Sequence, residues 1–484
     1  MAYLKDLLKQ VTYICTRGTM DCKVTHICHD SRQVVRGSMF ICLAGSREDG
    51  HDYLAQAIRK GAAVCVVSKH VWVEGDVTVI RVRNTSEAMA WIARNYYGAP
   101  AEAMQMIGIT GTKGKTTTAC MLYQMLKEAG VKCGLIGTLG VRRSDGLKKP
   151  GSNTTPDALV LQKELREMAD AGCSCCVMEV SSQGLKHYRV EGITFAIGIY
   201  TNLSMDHIGP GEHRSFREYA CCKKRLFERS RMICINADDK YHGFMTADLS
   251  APVYTYGIEQ PCDVKAEHIV YERSSRGLNV TYQTTGWIKN EIVLKMPGTA
   301  NVYNSLAAME AAHLLGISPE TIRKTLRNVS VKGRIEEVRI SDKFDVVIDY
   351  AHNAASLESL IKTLRQYQPK RLVLLFGCGG NRSPLRRFQM GETAGRLSDI
   401  TILTSDNPRY EKPEAILSDI EQGMKRTKGK YKIIPDRREA ISYAVSRAQE
   451  GDLIVVAGKG HEEYQEIEGH FYPMNEREMI ENSR

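Results

Sequence analysis

Short apolar runs alternate with amphipathic stretches along most of the chain. Between residues 101 and 332, strand-like runs such as Met104–Thr110 and Phe195–Asn202 are separated by helical patterns such as Asp157–Ala171. This alternation predicts a largely parallel sheet, because parallel strands need a crossover connection that is usually a helix. The strands are apolar almost throughout, which indicates a sheet that is covered on both faces.

A second alternating series begins at Val346–Tyr350, and shorter strand-like pieces occupy the first hundred residues, up to Gly98-Ala99-Pro100. We therefore predict an α/β protein with three domains, over residues 1–100, 101–332 and 333–484. The length of 484 residues agrees with this division, because single domains commonly hold about 100–200 residues.

Composition narrows the class of protein. With 43% hydrophobic and 25% charged residues, the chain is expected to be globular and soluble. We expect a cytoplasmic protein that acts as a monomer. No apolar run approaches the roughly 20 residues of a membrane span, and the N-terminus lacks a signal-peptide pattern. The net charge of +10 suits anionic small-molecule substrates, but it is not gathered into a nucleic-acid-binding stripe. The 15 cysteines lack the paired spacings of a metal cluster, so buried, reduced thiols are expected.

A glycine-rich segment follows the first of these strand-like runs and precedes a helical pattern. It reads Gly111-Thr112-Lys113-Gly114-Lys115-Thr116-Thr117. The glycines let backbone N–H groups point at phosphate oxygens, Lys115 adds a positive charge, and the Thr116 hydroxyl can bind Mg²⁺. The strict G-x-x-x-x-G-K-[ST] pattern fails because Ile109 stands where its first glycine belongs. The segment nevertheless predicts ATP binding and phosphate chemistry.

Further motifs lie where predicted strands end, which is the edge at which open α/β sheets bind ligands. They are Asn153-Thr154-Thr155-Pro156, Glu179-Val180-Ser181-Ser182, Thr201-Asn202-Leu203-Ser204-Met205-Asp206-His207, Asn301-Val302-Tyr303-Asn304, Gly333-Arg334, Asp349-Tyr350-Ala351-His352-Asn353, Asp406-Asn407-Pro408-Arg409 and Gly458-Lys459-Gly460-His461-Glu462. The first hundred residues contain two more motifs, Asp30-Ser31-Arg32 and Asp49-Gly50-His51. Together with the glycine-rich segment, these motifs resemble the Mur ligases along essentially the whole chain. The resemblance is to the members that add the third amino acid to UDP-N-acetylmuramoyl-L-alanyl-D-glutamate during peptidoglycan precursor synthesis.

The resemblance implies a three-domain Mur ligase architecture. It has a UDP-sugar-binding N-terminal domain, a central P-loop domain that binds ATP, and a Rossmann-like C-terminal domain that binds the amino acid. In this family the γ-phosphate of ATP passes to a substrate carboxylate, and an amine then attacks the acyl phosphate to form an amide. The implied catalytic residues are Lys115, Glu179, His207 and Lys223. The implied Mg²⁺ ligands are Thr116, Glu179, His207 and Lys223, the last as a carbamylated lysine.

The resemblance also implies the substrate contacts. ATP would contact the segment from Gly111 to Thr117 together with Asn301, Asn304, Arg334 and His352. The UDP-sugar dipeptide would contact Ser31, Asn153, Thr154, Thr155, Ser181, His187 and Arg189. The incoming amino acid would contact Arg382, Asp406, Asn407, Pro408, Arg409, Gly458 and Glu462.

Two diamines compete as the incoming amino acid. Arg409 can form a bidentate pair with the distal carboxylate of meso-diaminopimelate, a group that L-lysine lacks. Three segments differ from the usual family pattern, however. Two of them look similar to those of some lysine-adding relatives: Asp206-His207-Ile208-Gly209-Pro210-Gly211-Glu212-His213 and Tyr350-Ala351-His352-Asn353-Ala354-Ala355. The third is Asn381-Arg382-Ser383-Pro384-Leu385-Arg386-Arg387. Meso-diaminopimelate is the prediction, with L-lysine or another diamine as the alternative.

Three other classes of function stay open from the sequence. A ligase similar to folylpolyglutamate synthetase is disfavoured by the Asp30-Ser31-Arg32 motif, which those relatives lack. A non-catalytic nucleotide-binding paralogue is disfavoured by the presence of Lys115, Glu179, His207 and Lys223. A P-loop kinase or GTPase is disfavoured by the failure of the strict phosphate-loop pattern.

Overall fold

The protein is described here from a computed structural model that covers residues 1–45, 48–149, 151, 153–206, 208, 209, 211–274 and 277–483. The chain divides into two units. The first holds residues 1–264 and 306–321, and the second holds residues 265–305 and 322–484. No helix in the described ranges has the length and apolarity to cross a membrane.

The first unit begins with a five-stranded sheet. The strand order is Tyr13–Arg17, Thr78–Val82, Ala62–Val67, Ser38–Ile41 and His26–Cys28. The first pair is antiparallel and the others are parallel. The helices are Leu4–Leu7, Leu54–Arg59 and Thr85–Tyr96. Side chains on the sheet, such as Met39, Val64 and Ile80, join Ile92 in one buried core.

A larger sheet occupies the rest of this unit. Its order within the unit is Lys148–Lys149, Gly140–Arg142, Cys133–Gly137, Cys175–Glu179, Gln105–Thr110, Phe195–Tyr200, Ser230–Asn236 and Val253–Gly257. From Cys133–Gly137 onward all strands are parallel, as the alternating pattern predicts. The carboxyl ends of the parallel strands therefore meet at one edge, where the glycine-rich segment begins.

Helices cover this sheet through apolar stripes. They are Lys115–Glu128, Ala158–Asp170, Ser182–Lys186, Phe216–Lys224 and His242–Thr246. In the second of these, Leu161, Leu165 and Met168 recur at helical spacing and pack into the core with Met178 of the sheet. Asp157 caps the same helix by accepting hydrogen bonds from the backbone N–H groups of its first turn.

The second unit contains a six-stranded sheet. Its order is Glu336–Glu337, Asp345–Asp349, Asp452–Ala457, Arg371–Phe376, Ile400–Leu403 and Lys430–Ile433. All pairs are parallel except the first. The helices of this region are Ala354–Arg365, Pro384–Leu397, Pro413–Met424, Arg437–Ser446 and Glu476–Glu481. A hairpin of Tyr464–Ile467 and His470–Pro473 precedes the last helix.

The remaining elements connect the two series. Strands Val264–Ser274, Gly277–Gly286 and Glu291–Leu294 are followed by helices Thr299–Leu314 and Pro319–Asn328. The helix Pro384–Leu397 begins with a proline. Proline is well suited to the first helical position because the missing N–H would have no intrahelical partner there. The 15 cysteines are free, and most are buried.

Candidate functional site

The glycine-rich segment forms a tight loop between the strand Gln105–Thr110 and the helix Lys115–Glu128. Gly114 caps the helix with a φ of 90°, a left-handed conformation that favours glycine. The Lys115 Nζ donates a hydrogen bond to the Gly111 carbonyl oxygen at 2.8 Å. A lysine and the N–H groups of a helix N-terminus thus lie together, which is the arrangement that binds phosphate.

The end of the neighbouring strand fixes the shape of this loop. The Asn202 Oδ1 accepts from the Lys113 N–H at 3.0 Å, and the Asn202 carbonyl oxygen accepts from the Thr112 N–H at 2.9 Å. A Cβ atom at Gly111 would collide with the Thr201 hydroxyl, so this close approach requires glycine. Thr201 and Asn202 lie outside the predicted contact set, although they belong to the strand end next to it.

A buried carboxylate lies beside the loop. Glu179 ends the strand Cys175–Glu179 and is 2% exposed. Its Oε2 accepts from the Thr116 Oγ1 at 2.8 Å, and its Oε1 accepts from the Thr138 N–H at 2.8 Å. A Cβ at Gly137 would collide with this carboxylate, so the glycine leaves the space in which it sits. These donors are neutral, so dipoles of the described residues solvate the carboxylate.

These residues fit a magnesium ion. Hydroxyl and carboxylate oxygens are the ligands that Mg²⁺ prefers, and Thr116 and Glu179 offer one of each. Within the described ranges, no three His, Cys, Asp or Glu side chains form a metal cluster. The remaining ligands would therefore come from phosphate oxygens and from other groups. The predicted ligand His207 lies outside the described residues.

Lys223 is the second buried charge-bearing side chain at this loop. It lies in the helix Phe216–Lys224, is 1% exposed, and donates from its Nζ to the Gly111 carbonyl oxygen at 2.8 Å. The same Nζ lies 4.6 Å from the centroid of the Tyr219 ring. Burial, followed by the charge of Lys115, lowers the pKa of Lys223 well below its ordinary value. A lowered pKa raises the neutral fraction of the amine, which is the form that can react with CO₂ to give a carbamate.

Four of the predicted dipeptide-binding residues lie near Glu179. The Thr155 Oγ1 donates to the Glu179 carbonyl oxygen at 2.9 Å and to the Ser181 Oγ at 3.1 Å. Arg189 donates from NH1 to the Thr155 carbonyl oxygen at 2.8 Å. Thr154 shares a hydrogen bond of 3.1 Å between hydroxyls with Thr138.

The other three predicted dipeptide-binding residues are placed differently. Asn153 and His187 are both exposed. Ser31 begins a short 3₁₀ helix in the first sheet's domain and donates from Oγ to the Gln56 Oε1 at 2.9 Å. A binding role for these residues stays a prediction.

In the second unit, a ring cluster surrounds Tyr350. The ring centroids of His352 and His461 each lie 4.8 Å from that of Tyr350, and the Arg334 guanidinium carbon lies 4.9 Å from it. Two predicted ATP contacts, Arg334 and His352, therefore come together through a tyrosine outside the predicted set. Cationic and aromatic faces of this kind can stack on a planar ligand.

The other predicted ATP contacts in this unit are two amides one helical turn apart. Asn301 and Asn304 are both buried at the start of the helix Thr299–Leu314. The Asn304 Nδ2 donates to the Asn301 Oδ1 at 3.0 Å, and the Asn301 Nδ2 donates to the Pro297 carbonyl oxygen at 2.8 Å. The pair is thus held in a fixed orientation by its own hydrogen bonds.

The Asp406-Asn407-Pro408-Arg409 segment follows the strand Ile400–Leu403 and lies against the loop that contains Lys459 and Glu462. The Asn407 Nδ2 donates to the Glu462 Oε2 at 2.8 Å, and the Lys459 Nζ donates to the Asn407 Oδ1 at 2.8 Å. A Cβ at Gly458 would come within 2.8 Å of the Asp406 Oδ2. The predicted amino-acid contacts Asp406, Asn407, Gly458 and Glu462 therefore form one polar cluster.

Arg409 joins this cluster through the hairpin, whereas Arg382 does not. The Arg409 Nε donates to the Glu466 Oε2 at 2.9 Å, and its NH1 donates to the Gly380 carbonyl oxygen at 2.7 Å. Arg382 is exposed in the loop before the helix Pro384–Leu397. Pro408 is buried, and its carbonyl oxygen packs against Gly380.

Comparison with protein families matches all three parts of the chain. Residues 23–97 match the "Mur ligase family, catalytic domain", residues 109–312 the "Mur ligase middle domain", and residues 333–460 the "Mur ligase, glutamate ligase domain".

Known proteins of similar length give the same result. The UDP-N-acetylmuramoyl-L-alanyl-D-glutamate--2,6-diaminopimelate ligase of Caldanaerobacter subterraneus subsp. tengcongensis is 41% identical over 99% of this chain and 98% of its own. The enzyme of the same name from Clostridium perfringens is 38% identical over the same shares. A solved structure with that name is similar at a TM-score of 0.68 and 29% identity, over 95% of this chain and 94% of its own. The chain therefore belongs to the Mur ligase family.

Proposed function

We propose that the protein is an ATP-dependent amide ligase that adds meso-diaminopimelate to UDP-N-acetylmuramoyl-L-alanyl-D-glutamate. The observation that carries this proposal is the convergence of three groups on one phosphate loop: Lys115, the Thr116–Glu179 pair and the buried Lys223. Full-length relatives that carry this reaction in their names support it.

The reaction needs an activated acyl group, because a carboxylate does not condense with an amine unaided. The loop N–H groups and Lys115 would hold the γ-phosphate while a carboxylate oxygen of the substrate attacks it, releasing ADP and forming an acyl phosphate. The neutral amine of the incoming amino acid then attacks the acyl carbon. Inorganic phosphate leaves, the nitrogen loses a proton, and the amide bond is formed.

The charges at the loop are suited to this step. Thr116 and Glu179 would hold one Mg²⁺, and a carbamate on Lys223, with His207, would complete a second site. When bound, Mg²⁺ would neutralise the phosphate oxygens and align the transferring group. Carbamylation would convert a buried amine with a lowered pKa into a carbamate, which places a negative charge at the loop.

The amino acid would bind at the cluster of Asn407, Glu462 and Arg409. Arg409 is held by Glu466 and by the Gly380 carbonyl oxygen, which leaves N–H groups on NH1 and NH2 for a carboxylate. This supports a substrate with a distal carboxylate and therefore favours meso-diaminopimelate over L-lysine. L-Lysine or another diamine remains the alternative substrate for the same reaction.

The remaining predictions belong to the same proposal. We propose a UDP-sugar-binding domain over residues 1–100, an ATP-binding domain over residues 101–332 and an amino-acid-binding domain over residues 333–484. The protein would act as a cytoplasmic monomer. Ser31, Thr155, Ser181 and Arg189 would contact the UDP-sugar dipeptide, and Asn301, Asn304, Arg334 and His352 would contact ATP.

Phosphate release and product mass test the proposal. The protein is incubated with ATP, Mg²⁺ and UDP-N-acetylmuramoyl-L-alanyl-D-glutamate, with meso-diaminopimelate, L-lysine, L-ornithine or no amino acid in parallel. We expect a diaminopimelate-containing product and one phosphate per amide. Product formation with L-lysine alone would support the ligase reaction but contradict the proposed specificity for meso-diaminopimelate. Failure to form an amide with any amine would contradict the proposal.

A further inference from the structure

We propose that Glu466, on the hairpin strand Tyr464–Ile467, is a positioning residue that orients Arg409 and thereby sets selectivity for an amino acid with a distal carboxylate. The inference rests on the proposed function and adds a specificity-determining residue to it. Nothing in the sequence pattern around Glu466 indicates this role, because the residue lies outside every motif that resembles the family.

The backbone of Arg409 is held against the hairpin strand. Arg409 has a φ of 53°, a left-handed conformation that a non-glycine residue adopts at a cost. Its N–H donates to the Glu466 carbonyl oxygen at 3.0 Å, and its carbonyl oxygen accepts from the Glu468 N–H at 2.8 Å. The strand thus supplies the hydrogen bonds that keep Arg409 in this conformation.

The side chain is held by the same strand. The Glu466 Oε2 accepts from the Arg409 Nε at 2.9 Å, and the Gly380 carbonyl oxygen accepts from NH1 at 2.7 Å. Two anchors on different edges fix the plane of a guanidinium group. Within the part of the chain that the structure describes, three of its five N–H groups have no acceptor, and two of these three are on NH2. They are available to a planar carboxylate, for which the guanidinium fork is suited.

Glu466 is itself tied to the amino-acid cluster. Its N–H donates to the Asn407 Oδ1 at 3.0 Å, and that oxygen also accepts from the Lys459 Nζ. The neighbouring Gln465 donates from Nε2 to the Asp406 carbonyl oxygen at 2.7 Å. These hydrogen bonds fix the position of Glu466 relative to the segment that contains Arg409.

Orientation, rather than charge, is the main contribution we infer. The side chains of Arg409 and Glu466 are 24% and 20% exposed, so solvent screens part of their Coulomb attraction. A neutral acceptor at the same place would still receive the Nε–H bond and hold the guanidinium plane. A glutamine at position 466 should therefore preserve selectivity, whereas an alanine should not.

Three variants separate these contributions: Glu466→Ala, Glu466→Gln and the control Glu463→Ala. Glu463 lies in the same segment and forms an exposed ion pair with Lys332. Glu463→Ala therefore removes one negative charge and one ion pair, as Glu466→Ala does. Steady-state kinetics with meso-diaminopimelate and with L-lysine give KM and kcat for each. For Glu466→Ala we expect the KM for diaminopimelate to rise about tenfold, with kcat and the KM for ATP within about twofold of wild type. Glu466→Gln and Glu463→Ala should stay within about threefold on all parameters.

A double-mutant cycle shows whether Glu466 acts through Arg409. In an Arg409→Ala background, Glu466→Ala should leave the diaminopimelate to lysine selectivity unchanged, because the group that it orients is gone. A further drop in that background would overturn the positioning role, as would an unchanged or increased selectivity in the single Glu466→Ala variant. Thermal unfolding of each variant verifies that the fold is retained.

The wild-type reaction separates this inference from the function on which it rests. If the wild-type protein forms no amide with any diamine, the proposed function fails. If it forms the diaminopimelate product and Glu466→Ala equals wild type in KM and selectivity, the ligase stands and the role of Glu466 is refuted.

Discussion

The phosphate loop and the amino-acid cluster differ in how their charged side chains are compensated. At the phosphate loop, Glu179 accepts hydrogen bonds from neutral donors. Lys223, whose pKa is lowered, donates a hydrogen bond to a carbonyl oxygen. Around the amino-acid cluster, charges are neutralised within the protein, as in Arg409 with Glu466 and Arg437 with Glu476. The first arrangement is suited to highly charged ligands that arrive from solution, and the second to a rigid pocket for a zwitterion.

The largest expected effect comes from removing the lysine of the phosphate loop. In Lys115→Ala, the γ-phosphate loses the cation that stabilises its transferring charge, so amide formation should fall by about a thousandfold or more. Phosphate release in a coupled assay measures this. Lys127→Ala, an exposed substitution on the same helix, should remain within about twofold of wild type. Equal losses in the two variants would contradict a specific role for Lys115.

A second variant tests the internal pairing behind the amino-acid cluster. Arg437 is fully buried, donates from Nε to the Glu476 Oε1 at 2.6 Å, and donates to the carbonyl oxygens of Ser405 and Ala457. Arg437→Met leaves a buried carboxylate without its partner, so the free energy of unfolding should fall by about 3–5 kcal/mol. Denaturant unfolding measures the change. The double variant Arg437→Met/Glu476→Gln should recover part of it, and no recovery would show that the ion pair is not the cause.

Removing the Glu179 carboxylate beside the phosphate loop should not destabilise the protein, in contrast to Arg437→Met. Glu179→Gln takes away a buried charge that neutral donors solvate, so the free energy of unfolding without ligands should stay equal or rise. Activity should fall by about a hundredfold, because a ligand for Mg²⁺ is lost. Thermal unfolding and phosphate release are measured on the same preparation. A clear loss of stability in Glu179→Gln would contradict the difference that we infer between the two regions.

The smallest effect concerns the ring cluster. Burial, followed by the charge of Arg334, lowers the pKa of His461 to about 4. Between the ordinary value of about 6.5 and 4, the unfolded chain binds a proton that the folded protein does not, so stability falls as the pH falls through this range. Relative to His461→Gln, wild type should lose on the order of 1–3 kcal/mol between pH 7 and pH 4. Parallel pH profiles of the two proteins would contradict this.

The two regions also differ in how far the sequence predicts them. The phosphate loop could be predicted because its strand, glycines and lysine are contiguous, so local chemistry alone indicates the site. The hydrogen bond between Thr138 and the Glu179 carboxylate beside this loop could not be predicted, because the two residues are 41 positions apart and meet only in the folded sheet. Likewise, Arg409 stands in a recognisable motif, whereas Glu466 lies 57 residues away and reaches it through one irregular strand contact. The alternation of strand-like and helical stretches predicted both large sheets. No local sequence pattern indicates the long-range side-chain contacts Thr138–Glu179 and Arg409–Glu466.

Transfer of oxygen from substrate to phosphate tests the central claim most directly. If the carboxylate that becomes the amide is labelled with ¹⁸O, an acyl phosphate route carries one labelled oxygen into each inorganic phosphate released. Mass spectrometry of the phosphate and of the amide product measures this in a single reaction with ATP, Mg²⁺ and meso-diaminopimelate. We expect one ¹⁸O per phosphate in step with amide formation. Unlabelled phosphate alongside amide product would contradict activation of the carboxylate at the phosphate loop.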